Sequence, residues 1–283
     1  MGYNEHKIGV YKSLFRGRDD TYAVRWEKEG RTGYMPARKV DWSNYDKHKA
    51  QGGTFKNYQH KEDLPFDDSA IESHIRGNET CGIYPLLEDN TSFFIAVDFD
   101  KENWKETILE LYKTCGKFSI KSYIERSRSG NGGHLWVFFE NAFPAKQSRK
   151  IMFEILRQAG IISHFEKEPS FDRLFPNQDF HSGKGFGNLI SLPLNGKSME
   201  HGNTCFLNPD SFVIFEDQWA FLESVTKVSV TKLKALYEEL FNIVPENALI
   251  SSPSSSYGHD LEIIIQNQIF LKRNQLSKKL IAF

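Results

Sequence analysis

Two aspartates separated by one residue, Asp98 and Asp100, follow an apolar run from Phe93 to Val97. A short apolar run of this kind favours a strand, and side chains two positions apart on a strand lie on the same face. Paired carboxylates at one strand end are suitable ligands for Mg²⁺ or Mn²⁺. The alternative is a structural role, in which the two aspartates form a solvated strand end before a helix that begins near Asn103.

A glycine-rich segment at residues 127–134 reads Ser-Arg-Ser-Gly-Asn-Gly-Gly-His and lies between two predicted strands. Closely spaced glycines allow backbone N–H groups to converge on an anion such as a phosphate. Arginine, serine and histidine side chains would add positive charge and hydrogen-bond donors. The candidate phosphate-binding residues are Arg126, Arg128, Ser129, Gly132 and His134. The alternative is a flexible hairpin with a histidine that faces the core, and the segment is not a Walker A motif.

A third group of polar residues begins at Asp172, which could complete a carboxylate set with Asp98 and Asp100. Three carboxylates can hold two metal ions that activate a hydroxyl group and stabilise a departing pyrophosphate. A second glycine-rich stretch and the residues after it add the candidate nucleotide-binding residues Lys184, Asn188 and Lys197. Without the other two motifs, Asp172 and Arg173 would be interpreted as a surface turn. Together, the three motifs indicate a nucleotidyltransferase.

The elements that must position these residues follow from the apolar pattern and its turn signals. The pattern predicts helices over residues 8–15, 66–75, 103–115, 145–159, 217–222 and 230–241. It predicts strands over residues 21–26, 82–87, 92–99, 121–125, 135–139 and 189–194, with 82–87 and 92–99 joined as a hairpin. From residue 82 onward the order β-β-α-β-β-α-β predicts an α+β fold with helices on one face of a sheet. Residues 33–61 are interpreted as loop and residues 251–258 as a linker.

The net charge of −1 at first argues against a protein that binds nucleic acid by charge alone, because such domains are usually basic. The charge is unevenly distributed, however: residues 1–60 carry +5, 61–118 carry −7, 119–207 carry +3 and 208–283 carry −2. The two basic blocks could contact template and triphosphate, on either side of the block that holds Asp98 and Asp100. The aromatic residues of the first block that could stack on template bases, or else lie in the core, are Tyr11, Phe15, Trp26, Tyr34 and Trp42.

Three widely spaced cysteines form neither a CxxC pair nor a disulfide framework, as expected in a reducing cytosol. The first residues lack the apolar run of a signal peptide, and the longest apolar stretches are strand-sized rather than membrane-spanning. We therefore expect a cytoplasmic protein without a membrane partner.

In their order and spacing, the motifs resemble those of the archaeo-eukaryotic primase, or primase–polymerase, superfamily. The resemblance rests on Asp98-Phe-Asp100, on Gly132-x-His134 and on Phe171-Asp172. It is greatest to the primase domain of bacterial TOTE conflict-system proteins, and it extends over residues 8–225. The longer matching segments are residues 11–18, 82–87, 125–134, 171–179 and 187–194.

The resemblance implies a primase–polymerase core with an RRM-like palm beside an N-terminal α/β lobe. The implied domains are a basic lobe at residues 1–80, a catalytic core at 81–225, and a helical segment with a linker at 226–283. The resemblance also implies that Asp98, Asp100 and Asp172 bind the catalytic metals, and that His134 and its loop bind the phosphates of the incoming nucleotide. Many relatives carry a cysteine-rich knuckle before the helix near residue 70. Residues 52–58 contain no cysteine, so we predict no structural zinc.

The sequence therefore favours a metal-dependent DNA primase or polymerase of a bacterial conflict system. It would transfer nucleotides from NTP or dNTP to a 3′-hydroxyl group on a single-stranded DNA template and primer, with two Mg²⁺ or Mn²⁺ ions. A fused or associated helicase is the expected partner, because such domains are commonly fused to one and the chain stops abruptly at the apolar residues 280–283.

Two alternatives stay open: a non-catalytic nucleic-acid-binding module that recruits a fused helicase, and a metal-dependent nuclease. Three intact carboxylates argue against the first alternative, since a binding module need not keep them. A cradle suited to a triphosphate argues against the second, since a nuclease has no triphosphate to hold.

Overall fold

Strand β6 (Thr91–Asp100) lies at the centre of the fold and contributes alternate side chains to two hydrophobic cores. This computed structural model describes residues 5–163 and 166–242 of the 283-residue chain. Contacts between residues divide the chain into a first unit, residues 1–241, which contains every described helix and strand, and a second, residues 242–283. The predicted linker at 251–258 lies outside the described residues.

The described elements alternate between helices and short strands along the chain. The helices are α1 (Glu5–Leu14), α2 (Trp42–Ala50), α3 (Asp68–Ile75), α4 (Trp104–Lys117), α5 (Ala145–Gln158), α6 (Gly196–Met199), α7 (Gln218–Ser224) and α8 (Val230–Phe241). The remaining strands are β1 (Ala23–Lys28), β2 (Arg31–Pro36), β3 (Arg38–Val40), β4 (Lys61–Asp63), β5 (Cys81–Ile83), β7 (Tyr123–Arg126), β8 (Gly132–Pro144), β9 (Phe171–Phe175), β10 (Ile190–Ser191) and β11 (Phe206–Leu207).

Five antiparallel strands form the central sheet, named here the palm sheet, in the order β11-β7-β8-β6-β9. The segment β6-α4-β7-β8-α5-β9 is a βαββαβ unit. This arrangement confirms the predicted α+β class and the RRM-like palm. A second sheet, the lobe sheet, has the order β10-β5-β1-β2, and β3 pairs with β4. The lobe sheet takes strands from both sides of residue 80, and the domain boundaries at 80 and 225 stay predictions.

The odd-numbered residues of β6 face helices α4 and α5. Ile95, Val97 and Phe99 share the first hydrophobic core with Ile108 and Leu111 of α4. The pattern follows from the two-residue period of a strand and the apolar stripe of an amphipathic helix. Fully burying one such side chain stabilises the fold by roughly 1.5–3 kcal/mol. This core therefore fixes the position of β6 and of the aspartates at its end.

The even-numbered residues of β6 face α1 and the lobe sheet in the second core. Phe94 packs on Trp136 of β8, and Phe15, just after α1, meets Trp136 and Phe138 edge-on at centroid distances of 5.3 and 5.5 Å. Helices α4 and α5 both pack on the odd-numbered face of β6, which confirms the sheet with helices on one face predicted from residue 82 onward, while α1 and the lobe sheet cover the other face. Tyr11 and Phe15 are fully buried. They fill this core, which selects the core role over stacking on template bases for these two residues.

The predicted helices are confirmed, with ends shifted by a few residues, by α1, α3, α4, α5, α7 and α8. The predicted strands 21–26, 92–99, 121–125 and 135–139 correspond to β1, β6, β7 and β8. The predicted hairpin of 82–87 with 92–99 is wrong. Only Cys81–Ile83 forms a strand there, and it pairs with β1 and β10 in the lobe sheet. The predicted strand 189–194 is shortened to β10.

The prediction that residues 33–61 form a loop is also wrong, because they contain most of β2, all of β3 and α2, and the start of β4. α2 begins after Asp41, whose side chain accepts a hydrogen bond from the backbone N–H of Asn44. α2 has no buried residue, which explains why the sequence shows no apolar helical pattern here. Its Tyr45 ring instead packs edge-on against the rings of Phe55 and Tyr58.

The three cysteines, Cys81, Cys115 and Cys205, are all buried and unpaired. This confirms that the chain has no disulfide framework. Burial raises the pKa of Cys115 to about 12 and that of Cys205 to about 11. Both thiols therefore stay protonated at neutral pH. Across residues 5–163 and 166–242, no helix combines the length and the apolar character needed to cross a membrane.

Candidate metal and nucleotide site

Asp98 and Asp100 occupy the last two even-numbered positions of β6, on the same side of the strand as Phe94 and Ala96. Asp172 of β9 lies beside them, and carboxylate oxygens of the three aspartates all lie within 4.8 Å of one another. Within the described residues, no other group of three His, Cys, Asp or Glu side chains is close enough to share a metal ion. The structure thus brings together the three carboxylates that the sequence predicts as a set, named here the aspartate cluster.

A β-bulge brings Asp172 into the aspartate cluster. Asp98 lies opposite Arg173, but the next residue, Phe99, lies opposite Phe171, so Asp172 is an extra residue in β9. Bulges redirect side chains at strand ends and are common beside active sites. Phe171 can therefore pack against Phe99 in the first core while Asp172 joins the other two carboxylates.

Two glycines of β8 allow close approaches of the strand, Gly132 to the aspartate cluster and Gly133 to α4. Gly132 lies opposite Asp100, and a β-carbon on Gly132 would lie 2.6 Å from Asp100 Oδ1 and closer still to the carbonyl oxygen of Phe99. A β-carbon on Gly133 would lie 2.5 Å from the indole ring of Trp104. The sequence assigns Gly132 to phosphate binding, whereas its observed contact is with Asp100, for which it leaves space.

His134 lies opposite Asp98 in the same ladder, with only 6% of its surface exposed. Its Nδ1 lies 2.6 Å from Glu125 Oε2, and its Nε2 lies 3.4 Å from Asp98 Oδ1. Burial alone would lower the pKa of His134, but Glu125 and Asp98 outweigh burial and raise this pKa well above its usual value. The imidazole therefore lies between two carboxylates, with Nδ1 beside Glu125 and Nε2 beside Asp98.

Glu125 is a site residue that sequence reasoning did not single out. It is 1% exposed on β7 and also accepts a hydrogen bond from Trp136 Nε1 at 3.1 Å. Its position in a predicted strand is the signal that could have identified it. Glu125 comes two residues after Tyr123 in a predicted strand, so it shares the face of an aromatic residue that packs on the second core. A charged residue at such a position needs a partner.

The negative charge of the aspartate cluster is only partly balanced by the protein. Burial, followed by the nearby Asp98, raises the pKa of Asp100. Arg173 compensates from one side, since its Nε donates to Asp172 Oδ2 at 2.5 Å. Three converging carboxylates, with space left by Gly132, fit a divalent cation that prefers oxygen ligands, such as Mg²⁺ or Mn²⁺.

The sequence matches a known family over most of its length. Residues 6–236 match the family described as the archaeo-eukaryotic primase domain of the TOTE conflict system. The chain belongs to this family. No curated protein matches it. Among solved structures, the polymerase domain of Ligase D from Mycobacterium tuberculosis, in complex with DNA, aligns with 88% of this chain and 91% of its own, at 10% sequence identity and a TM-score of 0.38.

Two further predicted residues of this TOTE primase domain, Arg128 and Lys197, line one cleft of about 390 Å³. The cleft lies between β1 and the turn that joins β7 to β8, and it is also lined by Arg25, Trp26 and His201. Within the described part of the chain, the side chains of Arg128 and Lys197 take part in no hydrogen bond or ion pair. Both charges are therefore available to an anionic ligand.

Arg126 and Ser129 belong to the same region of the primase domain. Ser129 Oγ contacts Ser127 Oγ at 3.1 Å and accepts a hydrogen bond from the backbone N–H of Asn131, so it stabilises the β7–β8 turn. Arg126 Nε is buried and has no hydrogen-bond partner among the described residues. The structure thus brings both residues close to Arg128, along the chain segment that leads to His134.

Lys184 lies away from the aspartate cluster. Its turn is closed by a contact between His181 Nε2 and the Gly185 carbonyl oxygen, and the backbone N–H of His181 donates to Asn90 Oδ1. Asn90 precedes β6 whereas Asp100 ends it, and a ten-residue strand spans about 30 Å. The Lys184 turn therefore lies at the opposite end of the palm sheet, and nucleotide binding by Lys184 stays a prediction.

Of the remaining candidates, Asn188, Tyr34 and Trp26 lie in or beside the lobe sheet, and Trp42 is the first residue of α2. Asn188 comes two residues before β10, and its role also stays a prediction. Tyr34 is mostly buried, and its hydroxyl group donates to Ser191 Oγ at 2.8 Å. Trp26 and Trp42 are 36% and 61% exposed, so their rings are accessible to a ligand.

Proposed function

We propose that this protein is a metal-dependent DNA primase or polymerase. It transfers a nucleotidyl group from an NTP or dNTP to a 3′-hydroxyl group on a single-stranded DNA template, within a bacterial conflict system. One observation carries the proposal: Asp98, Asp100 and Asp172 converge beside His134 in a chain that belongs to a primase family.

In this proposal the three aspartates hold two divalent cations, Mg²⁺ or Mn²⁺, through their carboxylate oxygens. When bound, the cations promote ionisation of the attacking hydroxyl group and stabilise charge on the departing pyrophosphate. Two ligands come from β6 and one from the adjacent β9, so the palm sheet arranges them before any ligand binds. Such preorganisation supports catalysis because no group has to be repositioned during the reaction.

The triphosphate is proposed to bind between His134 and the cleft lined by Arg25, Arg128 and Lys197, named here the basic cleft. His134 donates a hydrogen bond from Nε2 to a phosphate oxygen, while Arg128 and Lys197 supply positive charge. Two observations support this assignment. Arg128 and Lys197 have no partners among the described residues, and only a short segment of chain connects Arg128 to His134. The other residues proposed to contact the nucleotide are Arg126, Ser129, Gly132 and Asn188; the sequence also predicts Lys184, whose turn lies at the opposite end of the palm sheet.

The template and primer are proposed to approach over the N-terminal lobe, residues 1–80. Residues 1–60 carry a net charge of +5, and the exposed rings of Trp26 and Trp42 are suited to stacking on unpaired bases. The catalytic core would comprise residues 81–225, and residues 226–283 would lead toward a fused or associated helicase. We propose that the protein acts in the cytoplasm.

The test is extension of a labelled primer, together with unprimed synthesis, on single-stranded DNA with Mg²⁺ or Mn²⁺ and with either NTP or dNTP. The double variant Asp98→Ala/Asp100→Ala should lose both activities because it lacks two of the three carboxylates. Its affinity for single-stranded DNA, measured by fluorescence anisotropy, should stay close to that of the wild type. A matched control is Asp210→Ala, which removes an exposed aspartate outside the cluster and should retain full activity.

Each alternative function has its own outcome in the same assays. Full synthesis by the double variant would refute the two-metal assignment. Cleavage of DNA without nucleotides would favour a metal-dependent nuclease. DNA binding without synthesis or cleavage by the wild type would favour a non-catalytic module. The three converging carboxylates support the polymerase over a non-catalytic module, and Arg128 and Lys197, which have no partners among the described residues, support it over a nuclease.

A further inference from the structure

Glu125 is a buried carboxylate on β7 whose two hydrogen-bond donors both come from β8. Its Oε2 accepts from His134 Nδ1 at 2.6 Å and from Trp136 Nε1 at 3.1 Å. Strand pairing sets the first contact, because Glu125 and His134 lie directly opposite each other. Two donors on one buried oxygen hold the carboxylate in a single position.

His134 connects this carboxylate to the aspartate cluster. Because Nδ1 is bonded to Glu125, the ring presents Nε2 to Asp98, whose Oδ1 lies 3.4 Å away. A 180° flip of the ring would place carbon atoms at both positions. It would also leave the buried Glu125 without its histidine donor, which is costly for a charged group.

We propose that Glu125 is a positioning residue that fixes the His134 ring with Nε2 directed at the aspartate cluster and the incoming nucleotide. The inference rests on the proposed role of His134 in nucleotide binding. Carboxylates that bond the second nitrogen of a metal-site histidine orient the ring in the same way. Glu125 acts through His134 and makes no contact with the nucleotide itself.

A purely structural role for Glu125 has different consequences. If Glu125 only satisfied Trp136 and His134 inside the fold, replacing it would lower the free energy of unfolding without a selective effect on the KM for the nucleotide. A positioning role instead raises this KM, because a displaced ring no longer meets the phosphates. The effect must also disappear when His134 is removed.

Two substitutions of Glu125 separate these roles. Glu125→Asp withdraws the carboxylate by one methylene group, whereas Glu125→Gln keeps the shape and an oxygen that accepts the Nδ1 proton. We expect Glu125→Asp to raise the nucleotide KM about tenfold, in line with other partners of site histidines. Glu125→Gln should restore most of the affinity. Glu140→Asp, an exposed glutamate on β8, is the matched control and should leave the KM unchanged.

A double-mutant cycle with His134→Ala tests whether the effect passes through the histidine. We expect Glu125→Asp to have no further effect on KM in the His134→Ala background. Additive effects would overturn the proposal, as would a Glu125→Asp enzyme with reduced stability and an unchanged KM. If Glu125→Asp does not fold, Trp136→Phe removes the second donor instead. It should then raise KM to a smaller extent, and an unchanged KM would again count against the proposal.

A measurement without catalysis keeps this inference separate from the proposed function. A buried Nδ1 proton bonded to a carboxylate exchanges slowly and gives a downfield NMR signal, which the His134→Ala variant identifies by its loss. We expect the signal in the wild type and in Glu125→Gln, but not in Glu125→Asp. This pattern in a protein that fails to extend primers would retain the positioning role and reject the polymerase. Absence of the signal in the wild type, or its persistence in Glu125→Asp, would reject the positioning role whatever the activity.

Discussion

Gly132 and Asp100 lie directly opposite each other in the ladder between β8 and β6, and a β-carbon on Gly132 would lie 2.6 Å from Asp100 Oδ1. The Gly132→Ala variant should therefore displace the Asp100 carboxylate. A misplacement of about 1 Å in a catalytic group can reduce the rate about 100-fold, and we expect a loss of this order in primer extension. Mn²⁺ binding, measured by electron paramagnetic resonance, should weaken in parallel.

Gly116 provides the control for this substitution. It is an exposed glycine in α4, and a β-carbon there would meet no atom within 4 Å. Gly116→Ala should leave activity unchanged and increase the free energy of unfolding by up to about 1 kcal/mol, since alanine favours the helix. If Gly132→Ala retained wild-type metal affinity and activity, the close approach of β8 to Asp100 would have no functional role.

Arg173 neutralises part of the aspartate cluster through its bond to Asp172, and it therefore competes with a bound cation. Arg173→Gln should increase the affinity for Mn²⁺ in the absence of nucleotide by about two- to fivefold, as expected for a half-exposed ion pair. Titration followed by electron paramagnetic resonance measures this change. Arg157→Gln, which removes an exposed arginine paired with Glu154 on α5, should have no effect on Mn²⁺ affinity. Weaker Mn²⁺ binding by Arg173→Gln would show that the guanidinium group assists the site.

The basic cleft and the Lys184 turn lie in different parts of the molecule and can be compared directly. Arg128→Ala and Lys197→Ala should each raise the KM for the nucleotide about tenfold, because each removes a charged contact to phosphate. The position of the Lys184 turn leads us to expect an unchanged KM for Lys184→Ala. Steady-state kinetics on a primed template provide the comparison. A large effect of Lys184→Ala alone would favour the sequence-based assignment over the observed geometry.

The buried His74 on α3 should make the free energy of unfolding depend on pH. Its Nε2 donates to the Pro193 carbonyl oxygen at 2.9 Å, and its Nδ1 accepts from the Cys81 backbone N–H at 3.0 Å. Burial lowers the pKa of His74 to about 4. As the pH falls below 6.5, the unfolded chain gains a proton that the folded protein does not take up until pH 4. About 3 kcal/mol of stability should be lost between pH 7 and pH 4 from this residue.

Urea unfolding at several pH values measures this loss. The His74→Gln variant should be less stable at pH 7 and should show a shallower decline toward pH 4, because glutamine does not titrate. The difference between the two proteins removes the contribution of the other titrating groups. A parallel decline in both proteins would show that His74 is not responsible.

The sequence predicts best those elements whose signals are local. α4 and α5 have apolar residues at helical spacing along one face, so their existence follows from the pattern. α3 has a capping aspartate, Asp67, whose side chain accepts a hydrogen bond from the backbone N–H of Ala70. Such features act within a few residues and do not depend on the rest of the chain.

Strand pairing is harder to predict from the sequence, because tertiary contacts determine which strands pair. The segment 88–90 does form a turn, with Asn90 at a positive φ of 66°, which is why a hairpin is a reasonable prediction there. The strand before the turn nevertheless pairs with Ile190 and Ser191, more than 100 residues away. No local pattern distinguishes that partner from β6.

The same distinction between local and tertiary features applies to the candidate site. The three motifs taken together, with their order and spacing, are sufficient to predict that Asp98, Asp100 and Asp172 form one set of carboxylates. The bulge at Asp172 and the contact of Glu125 with His134 depend on register between strands. They become visible only when the sheet is assembled, and so does the spatial role of Gly132.

The buried state of the three cysteines has a practical consequence for spectroscopy. Cys81, Cys115 and Cys205 are inaccessible, and burial raises the pKa of each thiol, so the native protein should react slowly with maleimide dyes. A single cysteine introduced at an exposed site, such as Lys28→Cys at the end of β1, then becomes the selective attachment point for a fluorophore. Energy transfer between that fluorophore and a dye on the DNA would report how the template lies against the lobe sheet, without prior removal of the native cysteines.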